Sequence, residues 1–578
     1  MASTLTPALE LPRPPKTRRG WMLNGFGSIV LLIMALFVLY PLALLIYGSF
    51  IVENPDGSQV TSFGAWIYAW TQPGIIQSIV NTFKIVVTLE VVAMPTAILI
   101  AWLVARTDIP GKRLIDTFFW IAFFLPALPV LLGWIFLFDP DYGVVNTLLM
   151  SLFDLRDPPF NIYSFWGIIF AHLAARSIAA KYIFMTPAFR NFDSSFEEAS
   201  RIVGCGTLRT IWRILIPILM PAILITLAIS LTHALESFEI ELILGPPFHL
   251  YVFSTKMYQL VSGSPPMFNA ATVLGLSVLL IALPLILWQQ RLLSKRSFVT
   301  VTSHFQAKPL QLRGWRWAAF GLLATLGLFI TVVPVICLLM STFMNLFGQF
   351  NLDKVWTMDH WESVMSDPLL IQSLINTLVL AGSAALVGVI WFSLVAYVSV
   401  RTKYAGRQAL DFVTWLPATL PGIILGLGLL WMFLTVPMLQ PFYGTIIILV
   451  VAVLINAVTT GVQLIKSNMV QLGNDLEEAS FVAGASWIYT FRRIVMPILG
   501  PVLISVALLI FSSAARNVSN IVMIVTGDNR PLAMLQIDYM TDGQYEPAAI
   551  VGVLIVLMTF GVAVAARAIS RKFGYRTT

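Results

Sequence analysis

The stretch EEASRIVGCGTLRTIWRILIP, residues 197–217, is a charged, glycine-punctuated interruption between long apolar runs, and it returns as EEASFVAGASWIYTFRRIVMP at residues 477–497. In both copies Glu to Gly is six residues and Gly to Pro thirteen: Glu198, Gly204, Pro217 and Glu478, Gly484, Pro497. Ser194 stands three residues before Glu197 and Asn474 three before Glu477, an arrangement that predicts a capping box opening a short helix. Gly204 and Gly484 are placed to end that helix, glycine being the usual residue just past a helix C-terminus. A second helical run then carries Arg209 and Arg213, or Arg492 and Arg493, towards a proline in the first turns of an apolar span, where a missing N–H is tolerated.

The duplication extends outward. SIVNTFKIVVT at 78–88 matches SLINTLVLAGS at 373–383, and Asn81, Arg106, Gly111, Asp116 and Trp120 pair with Asn376, Arg401, Gly406, Asp411 and Trp415 at an offset of 295. The later offset of 280 leaves about 15 extra residues in the first half, most simply in the loop at 139–163. Of 578 residues, 58% are hydrophobic and 11% charged, against roughly 25% charged in an average soluble domain. Twelve apolar runs are long enough to cross a bilayer as helices: 23–50, 77–105, 115–138, 164–189, 214–240, 269–290, 317–343, 373–400, 409–434, 444–466, 494–525 and 546–566. The fold expected is an all-α integral membrane protein of about 12 transmembrane helices in two parallel six-helix repeats, 23–290 and 317–566. An even number of spans returns each repeat to its starting side, which makes the repeats parallel. Residues 1–22, polar and proline-rich, read as a disordered tail. A basic linker is expected at 291–316 and a short tail at 567–578. The first apolar run is too long for a secretory signal and reads as a retained anchor.

With a cytoplasmic N-terminus, the loops on that side hold 27 of the 35 Lys and Arg residues and the opposite loops four, which by the positive-inside rule places both termini in the cytoplasm. A net charge of +7 then needs no nucleic acid, since topology and anionic membrane lipid account for a basic cytoplasmic face. The opposite loops are acidic, with Asp139, Asp141, Asp154, Asp157, Asp353, Asp359, Glu362 and Asp367 among them. They read either as solvated loop charges or as a docking face for a soluble partner.

The paired loops resemble the EAA loop of binding-protein-dependent ABC importer permeases: EAA, three residues, Gly, nine residues, Ile, any residue, Leu, Pro. Glu198, Ala199, Gly204, Ile214 and Pro217 match, as do Glu478, Ala479, Gly484, Ile494 and Pro497. The third position departs as Ser200 and Ser480, and the Leu as Ile216 and Met496. The resemblance implies a type I ABC importer permease-like fold in a bacterial inner membrane. It also implies that Glu197, Glu198, Ala199, Gly204 and Pro217, with Glu477, Glu478, Ala479, Gly484 and Pro497, couple the chain to two copies of a cytoplasmic ABC ATPase. The other partner implied is a periplasmic or extracellular solute-binding protein, with one copy of this fused chain per complex. Two fused halves look most like the ferric-iron branch, with phosphonate, thiamine and polyamine carriers as relatives. A secondary transporter built from parallel repeats is the rival class.

No P-loop is present: the only Gly-Lys pair, Gly111-Lys112, is followed by Arg113. ATP and Mg are therefore expected on the partner ATPase, with no cofactor, metal or catalytic residue in this chain. Cys205 and Cys337 have no metal-ligand spacing, and the five histidines are scattered. Ionisable residues at membrane depth mark paths or partners. The candidates are Glu236, Glu239, Arg516, Arg176 and Asn456. Shifted by 280, Glu236 falls on Arg516 and Arg176 on Asn456. Glu236 and Arg516 are expected to face each other at the mouth of the path, as a gate or substrate contact, or else to be a structural pair or acids reaching outer water. Arg176 reads as a lining residue or as a snorkelling or helix-bonding one. Lys181 is expected to reach the cytoplasmic surface.

Overall fold

The computed structural model describes residues 18–53, 59–193, 195–294 and 309–572. Most of the N-terminal tail, Ser194, the centre of the linker and residues 573–578 lie outside them.

Among the described residues, helices follow the twelve expected runs; eight are long and apolar enough to cross a membrane as single helices, and three more runs are bent pairs. Spans 1 and 2 are Arg18–Gly48 and Ile75–Arg106. Span 4 is Phe165–Arg190 and span 5 Thr207–Leu235, with span 6 at Phe268–Ser294. In the second repeat, spans 7, 8 and 10 are Trp315–Ser341, Pro368–Arg401 and Ile446–Gln471, and span 12 is Tyr545–Lys572. A helix satisfies most of its backbone hydrogen bonds within the segment, the condition for crossing hydrocarbon.

Spans 3, 9 and 11 depart from the expected straight helices. Span 3 is Lys112–Phe124 and Ala127–Phe138, bent by 104°, and span 9 is Arg407–Thr419 and Gly422–Thr435, bent by 113°. The breaks fall at Pro126 and Pro421, equivalent positions at the offset of 295. Proline disfavours helical backbone in the residue before it, and Leu125 and Leu420 are extended, with ψ of 134° and 127°. Span 11 bends by 79° between Trp487–Ile498 and Gly500–Ala515. Its helix ends at Ala515, short of the expected residue 525, and span 5 ends at Leu235, short of 240.

Packing crosses the repeat boundary in both directions. Span 1 lies mainly against the two helices of span 9, and span 7 against the two helices of span 3. Small residues let the backbones approach. A Cβ on Gly133 in span 3 would stand 2.3 Å from the Pro334 carbonyl oxygen of span 7, and one on its equivalent Gly428 would stand 3.1 Å from Pro41 of span 1. Each repeat thus lends its first helix to the other. A further strap ties the linker's end to the first half: Asp108 N–H donates to the Leu310 carbonyl (3.0 Å), Leu310 N–H to the Arg106 carbonyl (2.9 Å), and Leu312 N–H to Asp108 Oδ1 (2.7 Å).

Gly133→Ala should destabilise the span 3–span 7 contact by about 1–3 kcal/mol, the usual cost of overpacking. Gly321→Ala, whose Cβ would meet nothing within 4 Å, should be near neutral. Thermal unfolding of the detergent-purified variants checks the difference.

Candidate functional site: two braced loops and a charged cavity

Both copies of the opening motif fold alike. The helix Ser195–Ile202 is followed by Gly204 at φ +77°, and Asp475–Val482 by Gly484 at φ +85°. Gly204 N–H donates to Arg201 O and Cys205 N–H to Ser200 O, while Gly484 N–H donates to Phe481 O and Ala485 N–H to Ser480 O. This is the Schellman arrangement that closes a helix C-terminus. A Cβ at either glycine would meet open space, so the left-handed backbone alone demands glycine there. Past the turn, each copy has a π-helical turn, Ile211–Leu215 and Phe491–Val495, leading into its span.

The serines that depart from the motif are used. Ser200 and Thr210 hydroxyls lie 2.7 Å apart, and Ser480 and Thr490 2.8 Å apart, pinning the short helix to the one that re-enters the bilayer.

The first glutamate of each motif turns inward. Glu197 pairs with Arg106 at 2.7 Å, with side-chain exposures of 15% and 11%, and Glu477 with Arg401 at 3.0 Å, at 10% and 9%. Arg106 also donates to Phe192 O; Arg401 donates to Met469 O, Leu472 O and Asn474 Oδ1. These arginines end spans 2 and 8, so each ion pair ties a motif helix to a membrane helix. In the second copy the capping-box reading is corrected. Asn474 makes no side-chain cap, because its oxygen is taken by Arg401, and Asp193 Oδ1 accepts from Ser195 N–H in the first copy. Ser194 itself lies outside the described residues.

Glu198, Ala199, Gly204, Pro217, Glu478, Ala479, Gly484 and Pro497 are exposed. Beside them, Ile202 and its equivalent Val482 stand 87% and 89% exposed, with Phe196, Leu208, Leu476 and Ile488 also outward. An exposed apolar cluster on a polar loop marks an interaction surface.

Deeper in the bundle is a cavity of about 260 Å³, lined by the first half except for Ser519. Arg176, Glu236 and Glu239 open onto it. Glu236 and Arg516 do not pair: Glu236 lies 3.5 Å from His233, and Arg516 donates to the Phe124 carbonyl at 3.2 Å. Phe124 ends the first helix of span 3, so the break at Pro126 leaves a carbonyl without its intrahelical partner for Arg516 to cap. The acid in the field of Arg516 is Glu239. Asn456 donates to Asn520 Oδ1 at 3.3 Å rather than facing the cavity wall of span 4.

Two further polar clusters belong to the first half alone. Lys181 does not reach the surface; it is buried and pairs with Glu90 at 3.0 Å, with Ser177 and Ser230 completing the group. His172 pairs with the buried Glu241 at 2.8 Å, and Ser237 bonds both. At 280 or 295 residues on, the second half has Gly461, Ala385, Ala452 and Ile521 in place of Lys181, Glu90, His172 and Glu241. Arg106 and Arg401 were visible in the sequence as a repeated pair, and only their role was not.

A duplicated helical membrane protein with two braced, outward-facing loops at matched positions defines a permease-type membrane component. Residues 93–298 and 390–575, together more than half of the chain, match the family described as the binding-protein-dependent transport system inner membrane component, and the chain belongs to that family. It is 28% identical over 434 residues to a ferric transport system permease protein of Actinobacillus pleuropneumoniae, covering 72% of this chain and 60% of that one. A second relative, a protein of Haemophilus influenzae described as a putative ferric transport system permease, is 29% identical over 381 residues, covering 64% and 58%. The match thus spans less than two thirds of either relative's own length. Among solved structures, a bacterial ABC transporter involved in import of the acidic polysaccharide alginate aligns with a TM-score of 0.40 at 21% identity, covering 47% of this chain and 95% of that one.

Removing one partner of a largely buried ion pair costs roughly 3–5 kcal/mol. Arg106→Ala should therefore loosen the first loop, raising amide hydrogen exchange across 195–210 at least tenfold while leaving 475–490 unchanged. The charge swap Arg106→Glu with Glu197→Arg should recover part of the protection.

Proposed function

We propose that this chain is the translocation subunit of an ATP-driven importer and that both loops dock on cytoplasmic ATPase subunits. The observation that carries the reading is the matched pair of exposed apolar residues, Ile202 and Val482, on loops held rigidly to spans 2 and 8 by Arg106–Glu197 and Arg401–Glu477. A brace of this kind transmits a push on the loop to the membrane helix instead of dissipating it in a hinge. Within this reading both termini are cytoplasmic, one copy of the fused chain meets two ATPase copies that bring ATP and Mg, and a solute-binding protein delivers cargo from the other side. Glu236, Glu239, Arg176 and Arg516 line or border the path.

The cargo proposed is ferric iron, taken from the ferric transport permeases that the chain resembles. Differential affinity of the loops for open and closed ATPase pairs shifts the permease between its states.

Two substitutions test the coupling. Ile202→Asp with Val482→Asp, in proteoliposomes containing the ATPase and loaded binding protein, should cut ATP-driven ⁵⁵Fe uptake at least tenfold while the chain still folds. Uptake at the unaltered rate, or uptake that persists without the ATPase on a proton or sodium gradient, would sink the proposal.

A further inference from the structure

Arg176 sits in the interior of span 4, on the π-helical turn Leu173–Ser177 that interrupts the otherwise α-helical span. Turns of this type re-aim a side chain and gather at functional sites. The guanidinium opens onto the 260 Å³ cavity, and the Phe123 ring lies 4.9 Å from its Cζ. No carbonyl, hydroxyl or carboxylate of the described residues lies within hydrogen-bonding distance of it. A guanidinium has five N–H donors in a planar fork that matches oxyanions, and Arg176, exposed towards the cavity, holds that fork free of acceptors from the described residues. Its charged neighbours are Glu239, Glu236 and Arg516, and it forms an ion pair with neither acid. On the same wall Lys181 pairs with Glu90, His172 with Glu241 and Glu236 lies beside His233, while Glu239 also opens onto the cavity.

The equivalent position in the second half makes the contrast. Asn456 lies on a continuous helix, Ile446–Gln471, and its amide is spent on Asn520. An arginine retained only where the helix is distorted, and only where a cavity stands in front of it, is placed for a ligand.

We propose that Arg176 anchors an oxyanion-binding site within this cavity, receiving a small carboxylate-, carbonate- or sulfate-type ligand either free or as the coordinating anion of a metal complex. The second arginine, Arg516, adds positive field, which disfavours a bare metal cation and favours one whose charge is masked by bound oxyanions. Glu236 and Glu239 supply negative charge on the same wall, so a complex that carries both signs finds both complements. The inference rests on the reading of this cavity as part of the transport path, but not on iron as the cargo.

The test is equilibrium binding to the full chain in lipid nanodiscs, with ⁵⁵Fe-labelled ferric citrate, ¹⁴C-citrate alone and ³⁵S-sulfate as probes. At least one probe should bind saturably, Arg176→Gln should weaken it at least tenfold, and Arg176→Lys should restore part of the loss. Arg156→Gln, on an exposed loop residue, should bind as the unaltered chain does. Binding of the ferric complex alone identifies a metal-coordinated anion, whereas equal binding of citrate or sulfate identifies a free one. No saturable binding of any probe up to 10 mM, or binding unchanged in Arg176→Gln, overturns the proposal. An Arg176→Gln chain that binds and transports normally sinks this site alone. Arg176-dependent binding by a chain that carries out no ATP-driven uptake leaves the site standing and overturns the permease reading.

Discussion

The ion pair between the end of a membrane helix and the first glutamate of each loop is the constraint on which the rest depends. Arg106 and Arg401 are buried among backbone carbonyls, and a carboxylate from the motif helix completes each environment. Taking two charges out of water is expensive and is repaid only by good geometry and full hydrogen bonding. The arrangement gains little net stability, but it fixes register. The motif helix has one seat, its apolar residues face outward, and the glycine turn and the Ser–Thr hydroxyl pair aim the following helix into the bilayer. Two such seats 280 residues apart hold a pair of matching exposed loops in a single chain.

The interlocked spans extend that logic to the whole molecule. Because span 1 packs on span 9 and span 7 on span 3, the two repeats interlock, and their backbones approach closely at Gly133 and Gly428. Against this near-symmetric frame, most of the charged interior belongs to the first half, with Arg516 contributed by the second. Glu90, Lys181, His172, Glu241 and Arg176 all belong to the first half, while the second half offers Ala385, Gly461, Ala452, Ile521 and Asn456. The frame and the two exposed loops are common to both repeats. The cavity's lining comes almost wholly from the first repeat.

Much of this was legible in the residues. Apolar run length marked the twelve helical runs, and the repeated spacing marked both loops, because length and spacing are properties of the chain itself. The breaks at Pro126 and Pro421 were not legible, since Pro95, Pro284 and Pro334 lie inside continuous helices and proline in an apolar run does not distinguish a bend from a break. Pairing Glu236 with Arg516 failed for a related reason. Equivalence by duplication places two residues at matching positions without bringing them together, and the long arginine found the carbonyl exposed by the break in span 3. Glu197 and Glu477 looked like surface docking charges from their motif; only the fold reveals that they face inward while Ile202 and Val482 face out.

Site-directed cross-linking addresses the two-contact claim most directly. In a Cys205→Ser, Cys337→Ser background, Ile202→Cys and Val482→Cys would be introduced singly and together, and the chain oxidised with a single-cysteine ATPase subunit in native membranes. Each single variant should capture one ATPase copy, and the double variant a species containing one chain and two ATPase copies. Capture at only one of the two positions, or a double variant that never exceeds one ATPase per chain, would contradict the account.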